Sequence, residues 1–243
     1  MLKLTAYFQD ALLTPEALAR LSAVLSGVFP EFSRVGLAED EDDDPLWLFE
    51  MSAEEALSDL GVTGATGEVL VVPSATSGVT VYLLGAPPSH RDPRANAILI
   101  DLEGRGPYDE RALALLRGIV VEFRCHHARA CRDGELSATN MHRGNDGTYA
   151  IGVRLEDGLP GLYWANFLGP AYVQAIDFDF IAGGWERIDG GVMRVLYPAS
   201  TDWASDSASV ARARELAAWG DSWVFDRTRP NRRLRAPVFE RVP

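Results

Sequence analysis

The chain has 243 residues, 47% of them hydrophobic and 24% charged, with 35 acidic against 23 basic side chains and a formal net charge of -12. A chain this long can bury a sizeable core without staples, and its two cysteines, Cys125 and Cys131, are too few for a disulfide framework. A net acidic chain repels phosphate, which argues against nucleic acid as a ligand and allows a basic protein partner.

The charge is unevenly placed. From Val35 to His90 there are eleven acids and no Lys or Arg, so this segment carries -11 of the -12, and the remainder is close to neutral. The last 22 residues lean the other way, with Arg227, Arg229, Arg232, Arg233, Arg235 and Arg241 against Asp226 and Glu240. The N-terminus lacks the basic start, apolar run and small-residue cleavage pattern of a secretion signal, which makes a cytoplasmic location the expectation. Residues 69–89 and 158–176 are uncharged, but prolines, glycines and hydroxyls interrupt both, so neither is expected to cross a membrane.

In chain order, Leu2 to Phe8 alternates as a first strand, with Leu2, Leu4, Ala6 and Phe8 on one face. Thr14-Pro15-Glu16 is a helix start, and Leu18, Leu21, Leu25 and Val28 form its buried stripe up to Pro30. Ser52 to Glu55 matches a capping box and Gly61 a helix end, which predicts a short helix over residues 53–60. Residues 68–72 and 78–84 read as a hairpin or two adjacent strands joined through Pro73 to Ser77, and 97–102 as another strand after the loop 86–94. A helix is expected from Asp109 to about His126, with Leu113, Leu116, Val120 and Phe123 inward and Gly118 costing about 1 kcal/mol. Residues 128–139 and 148–155 read as two strands around the turn-rich 143–147, and 185–189 with 192–196 as a hairpin about Gly190-Gly191. A last helix starts at Asp206 or Ser207 and ends at Gly220.

Gly158 to Ile176 is the most apolar stretch. Read at period two, residues 161–169 are apolar on both faces, which predicts a central strand covered on both sides. Asn166 is the exception, and a buried amide needs partners at both ends or costs roughly 1–3 kcal/mol. Gly169-Pro170 ends the strand and opens a short helix to Ile176. The segment from Gly161 to Val173, with Tyr163, Trp164, Asn166, Gly169 and Pro170 at its motif positions, resembles the G-L-Y-W-x-N-[FY]-x-G-P-x-Y-[VL] segment of bacterial toxin-immunity proteins. These form the immunity 52, DUF3396-like group of type VI and polymorphic toxin systems. The end of the chain, from Trp223 to Phe239, is similar to the way such proteins end. The resemblance implies a small cytoplasmic protein that binds a cognate toxin, often a nuclease, and silences it. Its shared residues are scaffold residues and mark no catalytic site.

The candidate toxin-binding residues are Glu39, Asp40, Glu41, Asp42, Asp43 and Asp44, with Trp47 and Phe49 as apolar anchors just after Pro45. Six like charges in a row repel within a compact state and attract a basic partner over distance, while aromatics supply the burial that charge lacks. A solvated loop, with Trp47 and Phe49 as core residues, is the plainer reading of the same run. Cys125, His126, His127 and Cys131 are zinc-type ligands without the usual spacing, and read as half-buried cysteines beside surface histidines. No nucleophile elbow, P-loop or dinucleotide-binding glycine pattern occurs, and Ser137, Thr139 and His142 lack a paired acid.

The sequence therefore predicts an α+β fold: a mixed or antiparallel sheet with helices packed on it, in one domain over 1–243 whose element order hints at two related halves. The expected function is a non-enzymatic inhibitor of a protein toxin with a basic surface, without catalytic residues, metal, cofactor, nucleic acid or membrane. The alternative is a small metal-dependent or hydrolytic enzyme using the Cys125 to His142 region.

Overall fold

The computed structural model describes residues 1–63, 66–73, 78–86, 96–103, 108–143, 149–151, 155, 158–176, 184–219, 222–225 and 233–239. The loops expected at 74–77, 86–94 and 143–147 fall largely outside these residues, as do Arg227, Arg229, Arg232 and Arg241. The chain divides into two compact units, Met1–Ala128 and Arg129–Glu240.

Unit 1 contains the strands β1 (Leu2–Phe8), β2 (Val35–Ala38), β3 (Leu46–Trp47), β4 (Gly67–Pro73), β5 (Val79–Gly85) and β6 (Asn96–Leu102). Its helices are α1 (Pro15–Val28), α2 (Ala53–Asp59) and α3 (Tyr108–Glu122). The strands are antiparallel in the order β1-β6-β5-β4-β2-β3. One line across the register runs Thr5, Leu99, Tyr82, Leu70, Ala38. The alternating strands bury Leu2, Leu4, Ala6 and Phe8, and Phe8 meets Phe123, just past α3, edge-on at 5.4 Å. Burying each such large side chain stabilises the fold by about 1.5–3 kcal/mol.

The helix starts follow local chemistry. Thr14 accepts a hydrogen bond from the Ala17 amide at 3.2 Å, and Pro15 occupies the first turn, where its missing N–H costs nothing. Ser52 and Glu55 form a full capping box, and Gly61 closes α2 with φ of +69°. Val28 is half-buried where the stripe placed it inside, and the buried position after Leu25 is Phe29. α3 stops at Glu122, four residues short of His126, because the chain enters the next strand, β7 (Cys125–Arg132). Its inward face is Ala112, Leu115, Leu116, Ile119 and Val120, while Leu113 is half-buried.

The division between the units falls inside β7. Unit 2 continues with α4 (Asp133–Asn140), β8 (Met141–Arg143), β9 (Tyr149–Ile151), β10 (Ala165–Leu168), α5 (Pro170–Ala175), β11 (Glu186–Ile188), β12 (Gly191–Val195) and α6 (Asp206–Trp219). Strands β10 and β11 flank β12 antiparallel, and β8 pairs with β9 apart from them. The β11–β12 turn has positive φ at Asp189 (43°) and Gly190 (73°), the backbone twist that a two-residue hairpin needs.

Two sequence readings change here. The expected strand over 128–139 is half strand and half helix, since β7 ends at Arg132 and α4 follows. The expected strand over 161–169 is laddered only over Ala165–Leu168, although every residue from 161 to 169 is buried. The Asn166 side chain binds the backbone of Tyr163 and holds the preceding residues in a turn. With an antiparallel sheet and six helices among the described residues, the fold class is α+β. No described helix is long and apolar enough to cross a membrane.

Candidate functional site

The acidic run is the turn between β2 and β3. Glu39 to Asp44 are all exposed, and the turn is closed by its own groups. The Asp40 amide donates to Asp43 Oδ2 at 3.1 Å, the Glu41 amide to Asp40 Oδ1 at 2.6 Å, and the Asp43 amide to the Asp40 carbonyl at 3.3 Å. Tyr82, on β5, donates its hydroxyl proton to Glu41 Oε1 at 2.7 Å. Among the described residues, none of the six carboxylates enters an ion pair. Their negative charge therefore faces solvent.

Trp47 and Phe49 sit beside this turn. Gly36 on β2 makes room for Pro45 and Trp47: a Cβ there would stand 2.8 Å from Pro45 Cβ and 3.1 Å from Trp47 Cε3. The Trp47 and Phe49 rings lie 5.8 Å apart, tilted by 34°, and the Arg34 guanidinium caps the Phe49 ring at 5.4 Å. Trp47 is half-buried, whereas Phe49 is 58% exposed, so only the first serves the core even in part.

The motif segment lies inside unit 2. Tyr163, Trp164, Asn166 and Gly169 are buried, and Pro170 alone is exposed. Asn166 accepts from the Tyr163 amide at 2.9 Å and donates to the Tyr163 carbonyl at 2.7 Å, which meets both demands of its amide. Trp164 Nε1 donates to the Tyr197 carbonyl at 3.0 Å, and Arg129 donates to the Tyr163 hydroxyl at 3.3 Å while lying over its ring. These residues brace one another.

A buried charged cluster escaped the sequence reading. Glu135 on α4 is fully buried, accepts a short hydrogen bond from the Tyr197 hydroxyl, and meets Arg212 of α6 at 3.4 Å. Burial pushes the Glu135 carboxyl up to about 7, against the pull of the Tyr197 hydrogen bond and the Arg212 charge. Burial, reinforced by Glu135, also drives the Tyr197 phenol far above its ordinary range. One turn further along α6, Glu215 pairs with Arg194 of β12 at 2.8 Å and accepts from Trp185 Nε1 at 3.0 Å. Two inward charges thus fasten α6, whose other buried residues are only Ala208 and Trp219.

The described side chains of the Cys125 to His142 region do not gather around one ion site. Cys125 and Cys131 stand six residues apart on one strand, about 20 Å at strand rise. Both cysteines are fully buried, and burial drives the Cys125 thiol far upward. His127 is also fully buried, stacked near Tyr7 at 6.3 Å, which corrects the expectation of a surface histidine. His126 points to the other face of β7, and burial pulls its imidazole down to about 4. Among the described residues no three Cys, His, Asp or Glu side chains assemble as a metal site. The His142 side chain lies outside the described residues.

These features define an α+β protein with an antiparallel sheet, a buried charged cluster, and an exposed acidic turn beside an aromatic pair. Scans against protein-family models and curated proteins find no match. Among solved structures, the chain is similar to Pseudomonas aeruginosa T6SS protein PA0821, with a TM-score of 0.51 and 13% identity over 90% of this chain and 75% of that one. At that identity the likeness is one of fold.

Proposed function

We propose that this chain is a non-enzymatic immunity protein of a type VI or polymorphic toxin system, which binds a cognate basic toxin in the cytoplasm and blocks it by direct occlusion. The observation that carries the reading is the turn of Glu39 to Asp44, six exposed carboxylates without an intramolecular ion pair among the described residues, next to the exposed ring of Phe49. The toxin-immunity-like segment at Gly161 to Val173 and the shared fold with a protein named for type VI secretion support the same role. The turn's charge would speed encounter with a cationic surface, and the aromatic pair would hold the complex once formed.

The test is co-expression with the toxin encoded beside this gene. Cells should survive with the wild-type chain and die with Asp42, Asp43 and Asp44 changed together to Lys. Killing that continues in the presence of the wild-type chain would end the proposal.

A further inference from the structure

Unit 1 packs one face of its sheet fully and the other in part: on the second face Thr5, Ala38, Leu70 and Ala97 are buried, and the larger side chains around them are half-buried. On β5, Val79, Val81 and Leu83 are buried, while Thr80, Tyr82 and Leu84 between them are half-buried. On β6, Ile98, Ile100 and Leu102 are buried, while Leu99 and Asp101 are half-buried. Such alternation marks a sheet fully covered on one side and partly accessible on the other. The buried set shares its face with Phe8, which packs on Phe123 beside α3, so the helices lie on that side. The register places the half-buried Leu99 and Tyr82 in one row of the opposite face with the buried Leu70, and the half-buried Val72 beside Gly36 and Trp47 in the next. The half-open face therefore ends at the aromatic pair and the acidic turn, and Tyr82 reaches from one to the other through Glu41.

The potential over this face is negative. Tyr82 is pushed up to about 12, first by its hydrogen bond to Glu41, then by burial and by the charges of Glu41, Asp40 and Asp101. Lys3 is already engaged by Asp101 at 3.4 Å. Apolar strand residues under a negative rim complement one kind of ligand: a positively charged segment with large apolar side chains.

We propose that the half-open face from Trp47 through Val72, Tyr82 and Leu84 to Leu99 is a docking surface for such a cationic protein segment, with the turn of residues 39–44 as its rim. The inference deepens the inhibitor reading above and relies on it for the partner's identity. Burial on the strands supplies affinity, and the rim supplies encounter rate and selection for positive charge.

The experiment maps backbone amide shifts in the isotope-labelled full chain. Its probes are a short synthetic peptide alternating lysine with leucine and tryptophan, and the same peptide with glutamate for lysine. The lysine peptide should shift residues 70–72, 80–84 and 97–101, and the glutamate peptide should not. Leu99→Arg should weaken the lysine peptide by at least roughly tenfold with an unchanged thermal melt, and Thr80→Arg serves if that variant fails to fold. The inference is overturned by absent binding, equal response to both peptides, shifts confined to the turn or outside unit 1, or folded variants that bind as wild type. Survival under co-expression judges the inhibitor reading separately: a folded Leu99→Arg chain that still protects sinks the docking face and leaves that reading intact.

Discussion

The Tyr82 hydroxyl and the Glu41 carboxylate, 41 positions apart, are joined at 2.7 Å, so the acidic turn is tied to the middle of the unit 1 sheet. The bond makes a run of repelling charges part of the framework. It also places a phenol with a distinctive titration where the partner is proposed to sit.

That phenol gives the first prediction. Tyr82 rises from an ordinary 10.0 to about 12, so between these values the unfolded chain releases its proton first. Its contribution to stability is complete below pH 10 and is lost as pH climbs through 12. Selective labelling of tyrosine rings should show one resonance titrating near 12 in wild type and lower, though still above 10, in Glu41→Gln, because burial and the charges of Asp40 and Asp101 remain. A resonance unmoved by that substitution would mean that Glu41 does not hold it.

Glu135 shows the same sign at a lower pH. Its folded value is about 7 against an ordinary 4.5, so the folded state holds the proton more tightly between them. Stability from this group is greatest below pH 4.5 and declines as pH rises through 7. Urea midpoints measured at pH 5 and pH 8 should fall more steeply in wild type than in Glu135→Gln, a difference worth a few kcal/mol. Parallel pH profiles for the two proteins would show that burial does not dominate at Glu135.

Asn166 should tolerate little. Asn166→Leu keeps the volume but leaves the Tyr163 amide and carbonyl buried without the side chain that now serves both. Each lost partner costs about 1–3 kcal/mol, so a total of about 2–6 kcal/mol is expected in chemical denaturation. A loss below about 1 kcal/mol would mean that the turn before β10 rearranges to satisfy itself.

What could be read in advance follows from how far each signal reaches along the chain. The caps at Thr14 and Ser52 act within three residues, and the expected helix starts match them. Asn166 was legible because an amide in an apolar run must find partners, and it finds them three residues back. α4 was not legible. Its inward residue is Glu135, whose charged partner Arg212 lies 77 positions later, so no apolar stripe announces the helix. The acidic turn is plain in composition, but its tether to Tyr82 is a tertiary fact. His127 was misread for a related reason: an imidazole in a strand gives no sign of which face is covered.

Gly118 reads in sequence only as a weak point of α3, worth about 1 kcal/mol to replace with Ala. The structure supplies its reason. A Cβ at Gly118 would stand 2.8 Å from Val24 Cγ1 on α1, with Cγ2 and Cβ of the same valine at 3.7 and 3.8 Å. Val24 is β-branched and stiff, so its side chain must turn away or the helices must separate. Overpacking of this kind costs about 1–3 kcal/mol, which outweighs the helix-propensity gain. Gly118→Ala should therefore lower stability, Val24→Ala alone should cost a cavity, and the double variant should recover most of the first loss. The three urea midpoints decide it: Gly118→Ala at or above wild type would show that α1 and α3 give way freely, and the close approach would then count for nothing.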